Sequence, residues 1–507
     1  MTFAIVSFVP KAIGNGPITM TPPPSALPPD SLALLYMPYA ITNIPKAKST
    51  NPRIKISALI NFFVAMLENK IYSSLPSPQA ILKTEAQDFL SHSQELANIW
   101  NENLSDYKNV SPEFLQECLR DICRIGVKYA GTPGEVKARD YLINKLRDLD
   151  LDDISTEEFN YLSHTPVSGK LEVISVGGES IKCEPLQNTG NKSAQGEVVF
   201  VGDGSEEDFM SLEKKGVSIK GKIVITSTPF PFLVYPIAET KGAAGLIIIT
   251  DPPGGLIRSA TALMERREGT IPGVTISLDG GKHLLELMGR TKVKVYLESM
   301  GVYSWKKSWN VIARIRGILR PREKIVVCSH YDSQIKGEHA WDNSSGDAGL
   351  LEIARLLAGS KTRRTIELIF FGAEEQGLWG STACCEARAD EMKCTKAIIN
   401  LDGFSSSLCP ENFLETTPDI PRKYSTEIAE KLKWPVHHCG DPMPLSDHVP
   451  FIKAGVPAIW IHEGLIDPYY HTECDVFEHI DIEKLSKITT VAAAHAEGLA
   501  NFSNLPF

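Results

Sequence analysis

The sequence predicts an α/β fold: a three-layer sandwich around a mostly parallel sheet, with a smaller β-rich domain inserted. Three observations predict it. From about residue 305 to the C-terminus, short apolar runs alternate with amphipathic helical segments, the pattern of a parallel sheet covered by helices on both faces. Between about 165 and 300 the texture changes to short strands and glycine turns. Ahead of that insert, residues 111–150 carry two further amphipathic helices.

Residues 1–50 are rich in proline and small polar residues (Pro22-Pro23-Pro24, Pro28-Pro29) and are expected to be poorly ordered or to strap over another domain. Residues 51–110 read as a helical N-terminal extension without chemical motifs. Residues 111–165 and 300–507 form the main domain. Its first helix opens at Ser111-Pro112-Glu113 and carries Phe114, Leu115, Cys118, Leu119, Ile122 and Cys123 at helical spacing. A turn at Gly131-Thr132-Pro133-Gly134 leads to a second helix over 136–149. The insert, 166–299, has strands around 196–202, 221–225 and 242–249. It bears no catalytic cluster, and its expected task is to wall or gate a cleft, with a mere structural spacer as the alternative. Strands then fall at 325–328, 366–371, 397–401 and 457–461, and helices at 346–357, 378–390, 423–434 and 482–499.

A chain of 507 residues exceeds one ordinary core, so two or three domains are expected. The net charge of −10 is spread along the chain without a long basic run, which argues against nucleic acid as a partner. The N-terminus lacks a basic leader, and Lys11, Gly14 and Gly16 interrupt its apolar start. The apolar run 56–67 contains Asn61 and is too short to span a bilayer. A reduced cytoplasmic setting is slightly favoured, with secretion the alternative. The ten cysteines show no CxxC pair, which disfavours a cysteine metal site or a disulfide framework and leaves buried free thiols as the plain reading.

Five islands carry the chemistry. They are His330-Tyr331-Asp332, Asp342 in Trp341-Asp342-Asn343-Ser344-Ser345-Gly346, Glu374-Glu375, Asp402 and His471. Singly each has a bland reading: a surface pair, a helix cap, a solvated acidic face or a satisfied loop histidine. Four of the five, however, follow predicted strands, and open α/β sheets gather ligands at the carboxyl ends of their strands. Two histidines and three carboxylates can hold a pair of divalent cations and leave one acid over as a base.

The stretches Ser329-His330-Tyr331-Asp332-Ser333, Asp342-Asn343-Ser344-Ser345-Gly346, Phe371-Gly372-Ala373-Glu374-Glu375-Gln376-Gly377-Leu378-Trp379-Gly380-Ser381, Asn400-Leu401-Asp402, Ser446-Asp447-His448 and His471-Thr472 resemble the zinc aminopeptidases of peptidase family M28. The resemblance covers about 305 to the C-terminus, with a weaker echo at 112–150, and the insert resembles a protease-associated (PA) domain. It implies a zinc peptidase-like fold, two Zn²⁺ per chain and a peptide substrate cut at its free amino end. It further implies that Asp342 bridges the ions, that His330 and Asp402 complete one site, and that Glu375 and His471 complete the other. Glu374 would be the general base and Asp332 the acceptor that orients His330. The Asp342–Asn343 peptide is expected to be cis, as in that family. Cys439 lies in a Cys-Gly pattern sometimes disulfide-bonded there, though no partner is near it in sequence. The oligomeric state is not implied.

Three rival readings make different demands on these residues. A binding protein that kept the fold and lost catalysis would lack ligands or base, and neither is missing. A glutaminyl cyclase resembles a one-zinc machine, whereas a full second site is present. A two-zinc carboxypeptidase or dipeptidase needs a cation for the terminal carboxylate; no Arg lies within the islands, and the nearest, such as Arg388, sit on flanking helices.

Overall fold

The computed structural model describes residues 110–505 except 150, 152, 176, 410–411, 421, 435–436 and 465–466. The expected Pro-rich segment 1–50 and the expected extension up to 109 lie outside the described residues, as does the side chain of Cys439. Among the described residues fourteen strands follow in chain order: β1 Asp153–Val173, β2 Glu179–Ile181, β3 Cys183–Pro185, β4 Lys192–Phe200, β5 Ile223–Ser227, β6 Gly245–Ile249, β7 Gly273–Ile276, β8 Lys294–Ile315, β9 Arg320–His330, β10 Arg364–Phe371, β11 Thr395–Leu401, β12 Phe413–Thr416, β13 His437–Gly440 and β14 Ala458–His462.

The main sheet runs β13-β12-β14-β11-β9-β10-β8. Its centre is parallel: β9 pairs with β10 and β11, and β11 with β14. Strand residues alternate between two cores, as a sheet covered on both faces requires. Ile325 and Val327, Ile366, Leu368 and Phe370, and Ala397, Ile399 and Leu401 enter the core under helices Pro112–Arg124, Pro133–Asp148, Ser345–Leu357 and Ile482–Asn501. Val326, Cys328, Ile369, Phe371 and Ile398 face the opposite core, with Cys384 and Cys385 of helix Trp379–Ala387 and with Phe451. The three-layer α/β sandwich expected from the sequence is present.

The first helix is capped by Ser111, whose side chain accepts from the amide of Phe114 at 3.1 Å. Helix Pro133–Asp148 begins three residues earlier than periodicity predicts, because Pro133 suits a first helical turn, where no amide donor is needed. The expected helix 378–390 is shorter, Trp379–Ala387; Leu378 takes a left-handed conformation (φ 55°) ahead of it, and a 3₁₀ segment Ala389–Cys394 follows. The expected helix 423–434 is Arg422–Lys431 and is followed by Lys433 at φ 55°.

The insert is a second α/β layer. Strands β4, β5, β6 and β7 are parallel, with β3 antiparallel at the edge. Val224, Leu246 and Ile248 fill one face; Ile223, Ile225, Ile247 and Ile249 fill the other. A long antiparallel ribbon joins this layer to the main sheet. β1 pairs with β8 from Asp153↔Arg314 to Val173↔Val295, while β8 also pairs with β4 at its start and with β10 at its end. The nine described cysteines are free, and burial pushes the thiols of Cys118 and Cys123 up to about 12. No helix among the described residues is long and apolar enough to cross a membrane.

Candidate metal centre

Parallel strands place their carboxyl ends together, and the site forms there. His330 ends β9, Asp332 follows it, Glu374 and Glu375 follow β10, and Asp402 follows β11 directly. His471 comes from the loop after β14, and Asp342 from the segment entering helix Ser345–Leu357. Two positions need special backbone: Ala373 and His471 adopt φ 55° and 59°, values an L-residue keeps only where its surroundings enforce them. Gly346 is required by closeness, since a Cβ there would stand 2.3 Å from Asn343 Oδ1 and 2.8 Å from Leu401 O. The Asp342–Asn343 peptide is cis.

The structure brings the expected residues into two groups that share one carboxylate. His330, Asp342 and Asp402 form the first, and Asp342, Glu375 and His471 the second; within each, one ligand atom per residue lies within 4.8 Å of the others. His330 Nε2 is 3.0 Å from Asp342 Oδ1 and 3.3 Å from Asp402 Oδ1. His471 Nε2 is 2.9 Å from Asp342 Oδ2 and 3.0 Å from Glu375 Oε2. The two oxygens of Asp342 thus face different groups.

The imidazoles are oriented for ligation. His471 Nδ1 faces the carbonyl oxygen of Ser259 at 3.1 Å, and His330 Nδ1 that of Asp332 at 3.3 Å. A carbonyl only accepts, so each Nδ1 carries hydrogen and Nε2 is left to face the carboxylates. His471 Nε2 makes no aligned hydrogen bond, and Glu375 Oε1 has no partner. Buried acceptors turned toward one another suit a cation between them, and the mixed imidazole and carboxylate donors suit zinc.

Protons stand in for that charge in the free chain. Burial works against a charged His330, yet Asp402 and Glu374 raise it well above the usual histidine range. Likewise, burial opposes and Glu375 and Asp342 push His471 up to about 9. Burial opposes ionisation of Asp342 too, but the imidazoles of His330 and His471 facing its two oxygens hold it well below the usual range. A cation held by these groups would displace such protons.

The two adjacent glutamates diverge. Glu375 faces His471, and its Oε2 accepts from Gln334 Nε2 at 2.8 Å. Glu374 lines the cleft and is held well above the usual carboxylate range, by burial first, against the pull of His330. Asp332 holds both backbones in register: Oδ1 accepts from the Glu374 amide at 2.9 Å and Oδ2 from the Glu375 amide at 3.3 Å. Its Oδ1 also lies 3.7 Å from His330 Nδ1.

Several supporting residues escape a sequence reading. Asp475 accepts from the amides of Trp341 (2.8 Å) and Asp342 (3.2 Å), fixing the backbone that carries the shared carboxylate. Ser446 donates to Asp402 and accepts from Asn400 Nδ2 at 2.8 Å. The motif Ser446-Asp447-His448 was the available signal for Ser446; Asp475 and Gln334 carry none.

The cleft, counted together with the solvent space at its open mouth, spans about 560 Å³. Glu374, Asp342, Asp402 and His330 lie at its floor, and its walls are aromatic and apolar, including Trp341, Met443, Leu445, Trp460 and Tyr470. The insert contributes Phe230 and Phe232, rings 5.9 Å apart. No Arg or Lys is among the described residues that line it. Arg388 is bound elsewhere, to Glu157 and Glu367.

Two family models match the chain: peptidase family M28 over residues 310–496 and the PA domain over 192–284. Aminopeptidase YwaD of Bacillus subtilis is 29% identical over 397 residues, covering 73% of this chain and 80% of that protein. Probable glutamate carboxypeptidase AMP1 of Arabidopsis thaliana is 26% identical, covering 69% of this chain and 61% of that protein. Among solved structures, an aminopeptidase from Aneurinibacillus sp. strain AM-1 superposes with a TM-score of 0.61 at 25% identity, over 79% of this chain and 98% of that one.

Proposed function

From the premise that this chain belongs to peptidase family M28 and carries a PA domain, we propose that it is a zinc aminopeptidase that releases the N-terminal residue of peptides with two Zn²⁺ per chain. The single observation that carries the reading is the pair of donor groups sharing Asp342, with the uncommitted carboxyl of Glu374 beside them. His330, Asp342 and Asp402 would hold one ion, and Asp342, Glu375 and His471 the other. Zinc, when bound, supplies a Lewis acid that polarises the scissile carbonyl and makes water nucleophilic near neutral pH.

The chain's own residues supply the rest. Glu374, the carboxyl that lines the cleft and belongs to neither donor group, takes a proton from the attacking water and returns it to the departing amine. Asp332, by holding the amides of both glutamates, keeps Glu374 off the metal positions and Glu375 on one of them. The acidic floor suits a cationic amino terminus. A carboxypeptidase needs a fixed cation for the terminal carboxylate, and the described cleft lining offers no Arg or Lys.

The test is a peptide supplied with its amino end free, N-acetylated, or C-terminally amidated. Stepwise release from the free amino end, indifferent to amidation and abolished by acetylation, is expected. Efficient cleavage of the acetylated peptide, or release from the carboxyl end, contradicts the assignment. The aromatic walls further favour an apolar first side chain. Phe230→Ala with Phe232→Ala is expected to lower kcat/KM for an N-terminal leucine about tenfold or more, mainly through KM, while an N-terminal alanine changes little. Equal losses for both substrates would remove these rings from side-chain selection.

A further inference from the structure

The insert supplies no ligand to either donor group, yet it grips one of them. His471 and the segment Arg258–Thr261 exchange two backbone-directed bonds: Ser259 N donates to His471 O at 2.9 Å, and His471 Nδ1 donates to Ser259 O at 3.1 Å. Thr261 Oγ1 donates to the backbone oxygen of Glu375 at 2.8 Å. Asn188 Nδ2 donates to Gln376 O at 3.3 Å. Gln187 donates to Gln334, which in turn donates to Glu375 Oε2 at 2.8 Å, so a buried relay runs from the insert to the carboxylate itself. Arg258 lies 5.0 Å over the ring of Tyr470, which stacks on His471 at 3.7 Å.

The other group is supported differently. His330 rests on Asp332, and Asp402 on Ser446 and through it Asn400, all within the main domain. The asymmetry is therefore built into the connectivity. Partners that fix a ligand's tautomer and aim are worth about 10–100-fold in metal affinity.

We propose that the insert is a structural part of one metal position: its residues Gln187, Ser259 and Thr261 position Glu375 and His471 and set the zinc affinity there, and they leave the His330–Asp402 position untouched. The inference rests on the two-zinc reading above. It makes the insert more than a wall: any displacement that opens the cleft from this side loosens the Glu375–His471 position first.

The test isolates each position in the full-length protein. Asp402→Ala keeps the Glu375–His471 position, and His471→Ala keeps the other. Thr261→Val, which preserves side-chain shape, and Gln187→Leu are introduced into each background, and Zn²⁺ binding is titrated calorimetrically. Thermal unfolding of the metal-free proteins controls for folding, and Thr261→Val carries the test should Gln187→Leu unfold. Zinc binding about 10–100-fold weaker in the Asp402→Ala background, and unchanged in the His471→Ala background, is expected. Equal weakening in both, or none in either, overturns the inference alone. If neither background substitution lowers the zinc stoichiometry of the native chain, the two-zinc reading falls, and the inference with it.

Discussion

Asp342→Ala is expected to strip both proposed metal positions at once and to take the activity down to that of the chelated protein. Its two oxygens lie 3.0 Å from His330 Nε2 and 2.9 Å from His471 Nε2, so one truncation removes a donor from each group. Each group then keeps one imidazole and one carboxylate, fewer than the three protein ligands zinc retains at a catalytic site. The loss should exceed that of any substitution touching a single position. Asp402→Ala is the matched comparison, because it removes a donor from the His330 group only. Zinc content after dialysis distinguishes the two: near none for Asp342→Ala and about one ion per chain for Asp402→Ala. Asp342→Ala protein that holds zinc and works would deny the shared carboxylate its role.

Glu374→Gln, in contrast, is expected to keep the metal and lose the rate. The amide has nearly the same shape, so the loop after β10 and its two bonds to Asp332 remain, but it has no basic oxygen to take a proton from water. General-base loss is worth about 10²–10⁴-fold. KM and zinc content should stay near native, so the whole effect falls on kcat. Glu375→Gln should do the opposite, weakening zinc at the position shared with His471. Near-normal turnover by Glu374→Gln would show that another group accepts the proton.

Much of this was legible because parallel strands impose order on sequence. Once 325–328, 366–371 and 397–401 read as buried strands, His330, Glu374, Glu375 and Asp402 had to emerge on the same edge of the sheet. The residue types at those ends then named the chemistry. What stayed hidden depends on contacts with no type signature. Ser259 meets His471 through backbone atoms 212 residues apart in sequence, and any residue type presents the same carbonyl. Gln334 and Asp475 are buried polar side chains whose partners lie 41 and 134 residues distant, and nothing in their neighbours marks them. The helix ends differed for local reasons: Pro133 starts a helix that its apolar spacing alone would start later, and the left-handed turn at Leu378 delays the next. The insert was recognisable as a separate texture, but its grip on one half of the metal centre was not, since it runs through Gln187, Ser259 and Thr261, polar residues in glycine-rich β text.

The most direct test of the account is anomalous diffraction at the zinc edge from crystals of zinc-loaded protein. Two peaks about 3.5–4 Å apart are expected, one within ligand distance of His330, Asp342 and Asp402, the other of Asp342, Glu375 and His471, with Glu374 bound to neither. A single peak, or zinc found away from Asp342, would contradict it.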